Sequence, residues 1–162
     1  MSTVRAFFVA FVCATSSAAQ SFTHPGLLHG SSELDFVRQK IAAGEQPWTA
    51  AWEQLQASRV ASLDYAPKPF AKVVRGPSNN PDVGSSEMSS DAAAAYAHAL
   101  QWGLTRKKAH AAKAVEILNT WAHTLKSVSG HDARLLIGMD GVAFCNAAEL
   151  IRHSDATWLP ED

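Results

Sequence analysis

The clearest periodic pattern in the chain lies between residues 107 and 128, and it predicts a long amphipathic α-helix. Its apolar residues recur at intervals of four, three, four and three positions, at Ala111, Val115, Leu118, Ala122 and Leu125. This spacing places the side chains on one face of a helix. Such a face is stable only when it is covered, so the chain needs further elements packed beside this helix.

Four further segments have helical patterns with recognisable ends. They are residues 32–43, 47–58, 91–104 and 140–153. Ser32, Pro47 and either Ser90 or Asp91 are typical of helix N-termini. Alternation of polar and apolar residues never persists beyond about five positions, which predicts no strand. The predicted fold class is therefore all-α, with antiparallel helical hairpins that form a bundle, a solenoid or a toroid.

One long segment, residues 61–86, does not have a helical pattern. It contains four prolines, at Pro67, Pro69, Pro77 and Pro81. Loops of this length without structure of their own are uncommon, and they are often binding loops, lids or linkers. The segment also carries basic residues with no acid between them, beside two aromatic residues: Lys68, Lys72 and Arg75, with Tyr65 and Phe70.

Basic and aromatic side chains together suit an anionic sugar. Arginine binds a carboxylate through two parallel hydrogen bonds, and an aromatic ring can stack on a sugar ring. Prolines reduce the entropy that such a loop loses when it closes on a ligand. On these grounds Tyr65, Lys72 and Arg75 are candidate substrate-binding residues, and the segment 65–75 is interpreted as a lid or rim. The alternative is a solvated connector whose charges only keep it soluble.

Asn146 is the fourth candidate for substrate binding. In the predicted helix it shares a face with Glu149 and His153 and lies among apolar positions. A buried amide must form hydrogen bonds. The Asn146 amide therefore forms hydrogen bonds either with a bound substrate or with the backbone at the end of a neighbouring helix.

The N-terminus predicts export. Arg5 precedes an apolar run at 6–14, and small residues at 17–19 form a cleavage site, which is the pattern of a secretory signal peptide. Residues 1–19 are the predicted signal peptide and 20–162 the predicted mature domain. No later stretch is apolar enough for a membrane helix. The expected location is extracellular, or periplasmic in a bacterium.

Charge and motif content limit the possible partners. The chain has 14 basic and 15 acidic residues and a formal net charge of −1. Nucleic-acid binding needs a basic excess on some face, so nucleic acid is not expected as a partner. A membrane is not expected either, because no stretch after the predicted signal peptide is long and apolar enough for a membrane helix. The histidines lack the spacing of a metal site, and standard cofactor motifs are absent from the sequence. No metal and no cofactor is predicted.

Cys145 is the only cysteine within 20–162. A lone cysteine in a secreted protein indicates a free thiol, an intermolecular disulfide or a missing partner. The alternative is a small buried apolar residue. At the other end, Pro160 followed by Glu161 and Asp162 is typical of the start of a helix, so the chain is expected to be the N-terminal part of a longer protein.

Five segments, in this order, resemble the alginate-lyase-like polysaccharide lyases. They are FTHPGLLHGSSELDFVRQKIAAGEQPWTAAWEQL, SLDYAPKPFAKVVRG, DAAAAYAHALQWGLT, HAAKAVEILNTWAHTLKSVSG and GMDGVAFCNAAELIRHS. The resemblance implies an incomplete (α/α) toroid around a groove for an acidic polysaccharide, and β-elimination on a uronic acid. It also implies catalysis by an Asn/His motif and a Tyr on later helices. Asn80 is followed by Pro81 rather than by a histidine, so no catalytic residue is assigned in this chain.

The sequence is compatible with two functions. The first is a secreted, monomeric lyase, or a fragment of one, that cleaves alginate or a related polyuronate. The alternative is a non-catalytic helical-hairpin module that binds carbohydrate or serves as a scaffold. A scaffold should show repeated positions in successive hairpins and no long proline-rich insertion, and this sequence shows the opposite.

Overall fold

Helices make up most of the fold, and they follow one another in the predicted order. The computed structural model describes residues 22–156 and Trp158. The helices are α1 (Ser31–Ala42), α2 (Trp48–Ala57), α3 (Ser85–Thr105), α4 (Lys108–Thr124), α5 (Ala133–Leu136) and α6 (Val142–Arg152), and a π-helical turn, Ile137–Gly141, joins α5 to α6. The predicted signal peptide at 1–19 and the helix start predicted at Pro160 lie outside the described residues. Within those residues, none of the helices has the length and apolar character that crossing a membrane requires.

The centre of the fold is α3, which packs against both α4 and α6. Its buried face is built mainly from alanines, at Ala92, Ala94, Ala95, Ala97 and Ala99. Small side chains let neighbouring helices approach closely. Larger residues from the flanking helices, such as Ile117 on α4 and Ile151 on α6, then fill the core, where both are fully buried.

The apolar stripe predicted on α4 is present, but its centre is shifted. Ala111 and Leu118 are buried, Val115 and Leu125 are half-buried, and Ala122 is exposed. The buried face also includes Ala114, Ile117 and Trp121. The stripe therefore lies toward the side of the helix that meets α3 and α6.

The prediction that the chain has no strands is wrong, because the structure contains a small three-stranded sheet. Its strands are β1 (Lys72–Arg75), β2 (Asp82–Val83) and β3 (Ser127–Ser129), in the order β2-β1-β3. β1 pairs antiparallel with β2 and parallel with β3, with Val73 opposite Val128. A strand of four residues is too short to show alternation, and its parallel partner is more than 50 positions away. The fold class is therefore mostly helical with a small sheet rather than all-α.

The sheet also explains where two helices begin and end. α4 ends at Thr124, before the predicted limit of 128, because residues 127–129 pair with β1. α3 begins at Ser85, six positions before Asp91. The Asp82 carboxylate accepts hydrogen bonds from the Ser85 backbone N–H at 2.9 Å and from the Ser85 hydroxyl at 2.6 Å. This acid therefore stabilises the first turn of a helix whose serines have low intrinsic helix propensity.

Gly130 is the glycine for which we expect the largest effect of substitution. It has φ +104, and an added Cβ would lie 2.3 Å from the Arg75 carbonyl oxygen. We expect Gly130→Ala to lower the free energy of unfolding by about 2–3 kcal/mol, because it combines backbone strain with a steric clash at the sheet. Urea denaturation of the purified protein measures this change.

Gly138 provides the matched control for this substitution. It lies in the π-helical turn, and an added Cβ there would meet nothing within 4 Å. Alanine is a better helix former than glycine, so Gly138→Ala should leave stability unchanged or raise it slightly. Equal losses for the two variants would contradict the role assigned to Gly130.

Candidate functional site

A cleft of about 470 Å³ opens between the segment that follows α2 and the N-terminal half of α3. We call it the Tyr65 cleft. It is lined by Arg59, Ser62, Asp64, Tyr65, Ala66, Lys68, Ser86, Glu87, Ser90 and Asp91. The start of the proline-rich segment forms one wall, and the serine-rich first turns of α3 form the other.

The lining of the cleft is polar and carries both signs of charge. Arg59 and Lys68 are exposed cations that can donate hydrogen bonds to a carboxylate. Ser62, Ser86 and Ser90 add hydroxyl groups, and Asp64 and Glu87 are the acids available to a ligand. Donors and acceptors at this density suit a ligand with many hydroxyl groups and a few carboxylates, such as an acidic sugar.

Asp91 is the buried polar centre beneath this cleft, with only 1% of its surface exposed. One carboxylate oxygen accepts a hydrogen bond from the Tyr65 hydroxyl at 2.5 Å. The other accepts from the Lys68 backbone N–H and from the Trp121 indole N–H, both at 2.7 Å. Asp91 therefore connects α3, α4 and the proline-rich segment, and its charge is satisfied by protein donors.

Tyr65 is held by the same network. Burial, together with the hydrogen bond to Asp91 and its negative charge, raises the pKa of Tyr65 well above the usual range. The phenol therefore keeps its proton at neutral pH and acts as a donor to Asp91. The Tyr65 carbonyl also accepts a hydrogen bond from the Lys113 ammonium group at 3.1 Å. The start of the segment 65–75 is consequently a fixed rim of the cleft.

Lys72 and Arg75, the two predicted cationic ligands, lie on β1 and do not line the Tyr65 cleft. Lys72 is exposed at the first position of the strand, and Arg75 is half-buried at the last. The Arg75 Nε donates a hydrogen bond to the Asn79 side-chain oxygen at 2.8 Å. The structure thus separates these two residues from Tyr65, and their contact with substrate stays a prediction.

Asn146 lies neither in the Tyr65 cleft nor on the sheet. It is 6% exposed on α6 and lines a shallow apolar pocket of about 340 Å³ with Leu27, Leu28, Val142 and Cys145. Among the described residues, no side-chain hydrogen bond satisfies its amide, so the predicted capping of a neighbouring helix is not seen there. Its predicted contact with substrate stays a prediction.

Cys145 is exposed, and among the described residues its thiol has no disulfide partner. Its interpretation as a small buried apolar residue is therefore wrong. The other cysteine of the chain, Cys13, lies outside the described residues.

Sequence reasoning missed Asp91 as a structural centre and assigned it, with Ser90, to a helix start. A signal was available, because Asp91 opens the run of alanines at 92–95 and lies three, four and seven positions before Ala94, Ala95 and His98. An acid on the buried face of a helix indicates a partnered buried charge. Arg59 carried no comparable signal, because it reaches the cleft only through the fold of the turn after α2.

Comparison with known families identifies the chain. The family model described as alginate lyase matches residues 34–162. The chain belongs to the alginate lyase family. The resemblance read from the sequence is thereby confirmed, and the match includes the Tyr65 cleft, the small sheet and Asn146. No curated protein and no solved structure matched the chain significantly.

Proposed function

We propose that this protein is a secreted polysaccharide lyase, or a part of one, that cleaves alginate or a related polyuronate by β-elimination. The observation that carries the proposal is the alginate lyase family match over residues 34–162. We further propose that its helical hairpins form part of an (α/α) toroid around a substrate groove. Among the described residues, the Tyr65 cleft is the part of that groove whose walls carry donors and acceptors suited to an acidic sugar.

β-Elimination sets clear requirements for such a groove. A base removes the proton at C5 of the uronate, the bond between C4 and O4 breaks as the C4–C5 double bond forms, and an acid gives a proton to O4. The uronate carboxylate must also be neutralised, because its charge otherwise opposes removal of the C5 proton. In the Tyr65 cleft, Arg59 and Lys68 are suited to this neutralising role.

The proton-transfer roles are not assigned to residues of this cleft. Tyr65 keeps its proton and donates a hydrogen bond to Asp91, whose own oxygens are satisfied by three protein donors. We therefore propose that the cleft binds and orients a uronate rather than reacting with it. Lys72 follows Lys68 by four residues, a span of at most about 14 Å, so one oligosaccharide could contact both lysines.

The test of the proposed reaction is an assay on polyuronates. The purified chain is incubated separately with polymannuronate, polyguluronate and unmodified alginate. Each elimination creates an unsaturated uronate, so ultraviolet absorbance rises as the reaction proceeds. Secretion is tested independently by expressing the full chain and measuring how much protein reaches the medium, or the periplasm in a bacterial host. A lack of absorbance change with every polyuronate would count against a lyase whose catalytic residues all lie in this chain.

Binding to the cleft is tested with two cationic residues. We expect Arg59→Ala and Lys68→Ala each to weaken the binding of an oligouronate by about five- to tenfold, because each removes one charge-assisted hydrogen bond at a partly solvated site. Lys68→Ala keeps the backbone N–H that Asp91 requires, so the fold is retained. Isothermal titration calorimetry measures the affinities.

The control is Lys107→Ala, which removes an exposed lysine from the turn between α3 and α4. This residue does not line the cleft, so its loss should leave affinity nearly unchanged. If all three variants lose affinity equally, the protein attracts uronates only through its overall charge, and the cleft is not the binding site.

A non-catalytic carbohydrate-binding function is the second candidate. The observation that favours it is the state of Tyr65 and Asp91, which are committed to each other beneath the cleft. Binding of an oligouronate that depends on Arg59 and Lys68, with no rise in absorbance on any polyuronate, is the result that would select this candidate.

A further inference from the structure

A cluster of His24, Glu149 and His153 joins the N-terminal segment to the C-terminal end of α6. Atoms of these side chains that could bind a metal lie within 4.8 Å of one another. Spacing along the chain does not indicate the cluster, because His24 and Glu149 are 125 positions apart. Glu149 and His153 are four positions apart on α6 and therefore lie on the same helix face.

The Glu149 carboxylate is the centre of this cluster. One oxygen, Oε1, lies 2.7 Å from His24 Nδ1 and accepts a hydrogen bond from the Gly26 backbone N–H at 3.0 Å. The other, Oε2, lies 3.6 Å from His153 Nε2. The Gly26 contact fixes the orientation of the carboxylate, as hydrogen bonds from the protein do for the ligands of natural metal sites.

We propose that His24, Glu149 and His153 form a binding site for Zn²⁺. Proteins bind zinc with ligand sets of this kind, in which two imidazole nitrogens and one carboxylate coordinate the ion and a fourth position is open to water. Imidazole favours zinc and similar transition metals over Mg²⁺ and Ca²⁺, which prefer oxygen ligands. The site lies at the C-terminal end of α6, where the helix dipole also favours a cation.

Zinc binding requires a small rearrangement of the side chains. Ligand atoms around tetrahedral zinc are about 3.3 Å apart, and the two distances to Glu149, 2.7 and 3.6 Å, lie on either side of that value. The His24 and His153 rings are stacked, with centroids 3.7 Å apart and planes 12° apart. Because a metal lies in the plane of each ring that binds it, one ring must rotate out of the stack. Both histidine side chains are partly exposed, at 41% and 35%, so there is room for this rotation.

A bound zinc ion would fasten the segment before α1 to α6. In the described structure the contacts that make this connection include those of Glu149 with His24 and Gly26, and the stacking of the His24 and His153 rings. An ion that binds only the folded state stabilises that state. With the ion in excess, the stabilisation grows with the logarithm of the ratio of its free concentration to Kd. The proposal concerns this connection and does not depend on the proposed lyase function.

The test is titration of the full chain with ZnCl₂ by isothermal titration calorimetry at neutral pH, with thermal unfolding measured alongside. We expect one zinc ion per chain, a Tm rise of several degrees in excess zinc, and no comparable effect of MgCl₂ or CaCl₂. His24→Ala, His153→Ala and Glu149→Gln should each weaken zinc binding at least about tenfold, since each removes or weakens a ligand. Glu149→Gln retains an acceptor for the Gly26 N–H, so it separates loss of the ligand from loss of the fold.

Two controls distinguish this site from nonspecific binding to surface histidines. His131→Ala removes an exposed histidine that is paired with Asp132, and it should leave zinc affinity unchanged. Substitution of Co²⁺ for Zn²⁺ should give the visible absorption of a four-coordinate ion, and that absorption should disappear in His153→Ala. No zinc binding, or binding that survives in all three cluster variants while they remain folded by circular dichroism, would overturn the proposal.

Discussion

Replacing Asp91 by alanine is expected to lower the free energy of unfolding by about 3–5 kcal/mol. The substitution leaves the Tyr65 hydroxyl, the Lys68 N–H and the Trp121 indole N–H without the acceptor that each has in the native protein. Each buried donor without a partner costs about 1–3 kcal/mol, and water from the cleft can replace part of the loss. Since domains of this size are stable by about 5–15 kcal/mol, Asp91→Ala should unfold at much lower urea concentrations.

Two variants separate this network from the general effect of removing an acid. Asp64→Ala removes an exposed carboxylate from the same cleft, and its stability should be within about 0.5 kcal/mol of the wild type. Tyr65→Phe removes one of the three donors and should cost about 1–2 kcal/mol. If Asp91→Ala were no less stable than Asp64→Ala, the assignment of Asp91 as the buried centre would be wrong.

The second large loss of stability is expected on acidification, and we assign it to the buried pair of His98 and His110. Their Nδ1 atoms are 2.9 Å apart, and His98 Nε2 lies 3.2 Å from the Ser62 carbonyl oxygen. His98 Nε2–H donates a hydrogen bond to that carbonyl, so in the neutral ring the unprotonated Nδ1 accepts a hydrogen bond from His110 Nδ1–H. This arrangement requires a neutral His98 ring, and a proton added to its Nδ1 would remove its only acceptor site for His110.

The pKa values give the direction of the effect. Burial, followed by the charge of the neighbouring His110 when protonated, lowers the pKa of His98 to about 4. Burial and the charge of Lys107 lower the pKa of His110. In the unfolded chain these histidines take up protons near pH 6.5. Their contribution to stability is thus complete above about pH 6.5 and is lost as the pH falls toward 4, and for His98 this loss is on the order of 3 kcal/mol.

His98→Gln tests this assignment because glutamine has a donor and an acceptor but does not titrate in this range. We expect the stability of the variant to fall less between pH 6.5 and 4 than that of the wild type, as measured by urea denaturation at each pH. Carboxylates titrate in both proteins, so the difference between the two curves reports on His98. His123→Gln changes an exposed histidine and should follow the wild-type curve. Identical curves for all three proteins would contradict the buried-pair assignment.

Much of the helical framework could be predicted from the sequence because helices depend on local patterns. The ends of α1 and α2 lie within one residue of the predicted ranges, 32–43 and 47–58. The α4 stripe was located by its spacing, and the family was identified from five segments in order and then confirmed over residues 34–162. Each of these signals needs only neighbouring residues or the order of the chain.

The tertiary structure decided what depends on residues far apart in the chain. β1 became a strand because residues 127–129 pair with it, and the serines after Asp82 became helix because that carboxylate caps them. Asp91 became a buried centre only when Tyr65 and Trp121 were folded against it. The physical reason is common to all three cases. A backbone ladder or a buried charge is stable only when its partner is in place, and local sequence does not specify which distant residue that partner is.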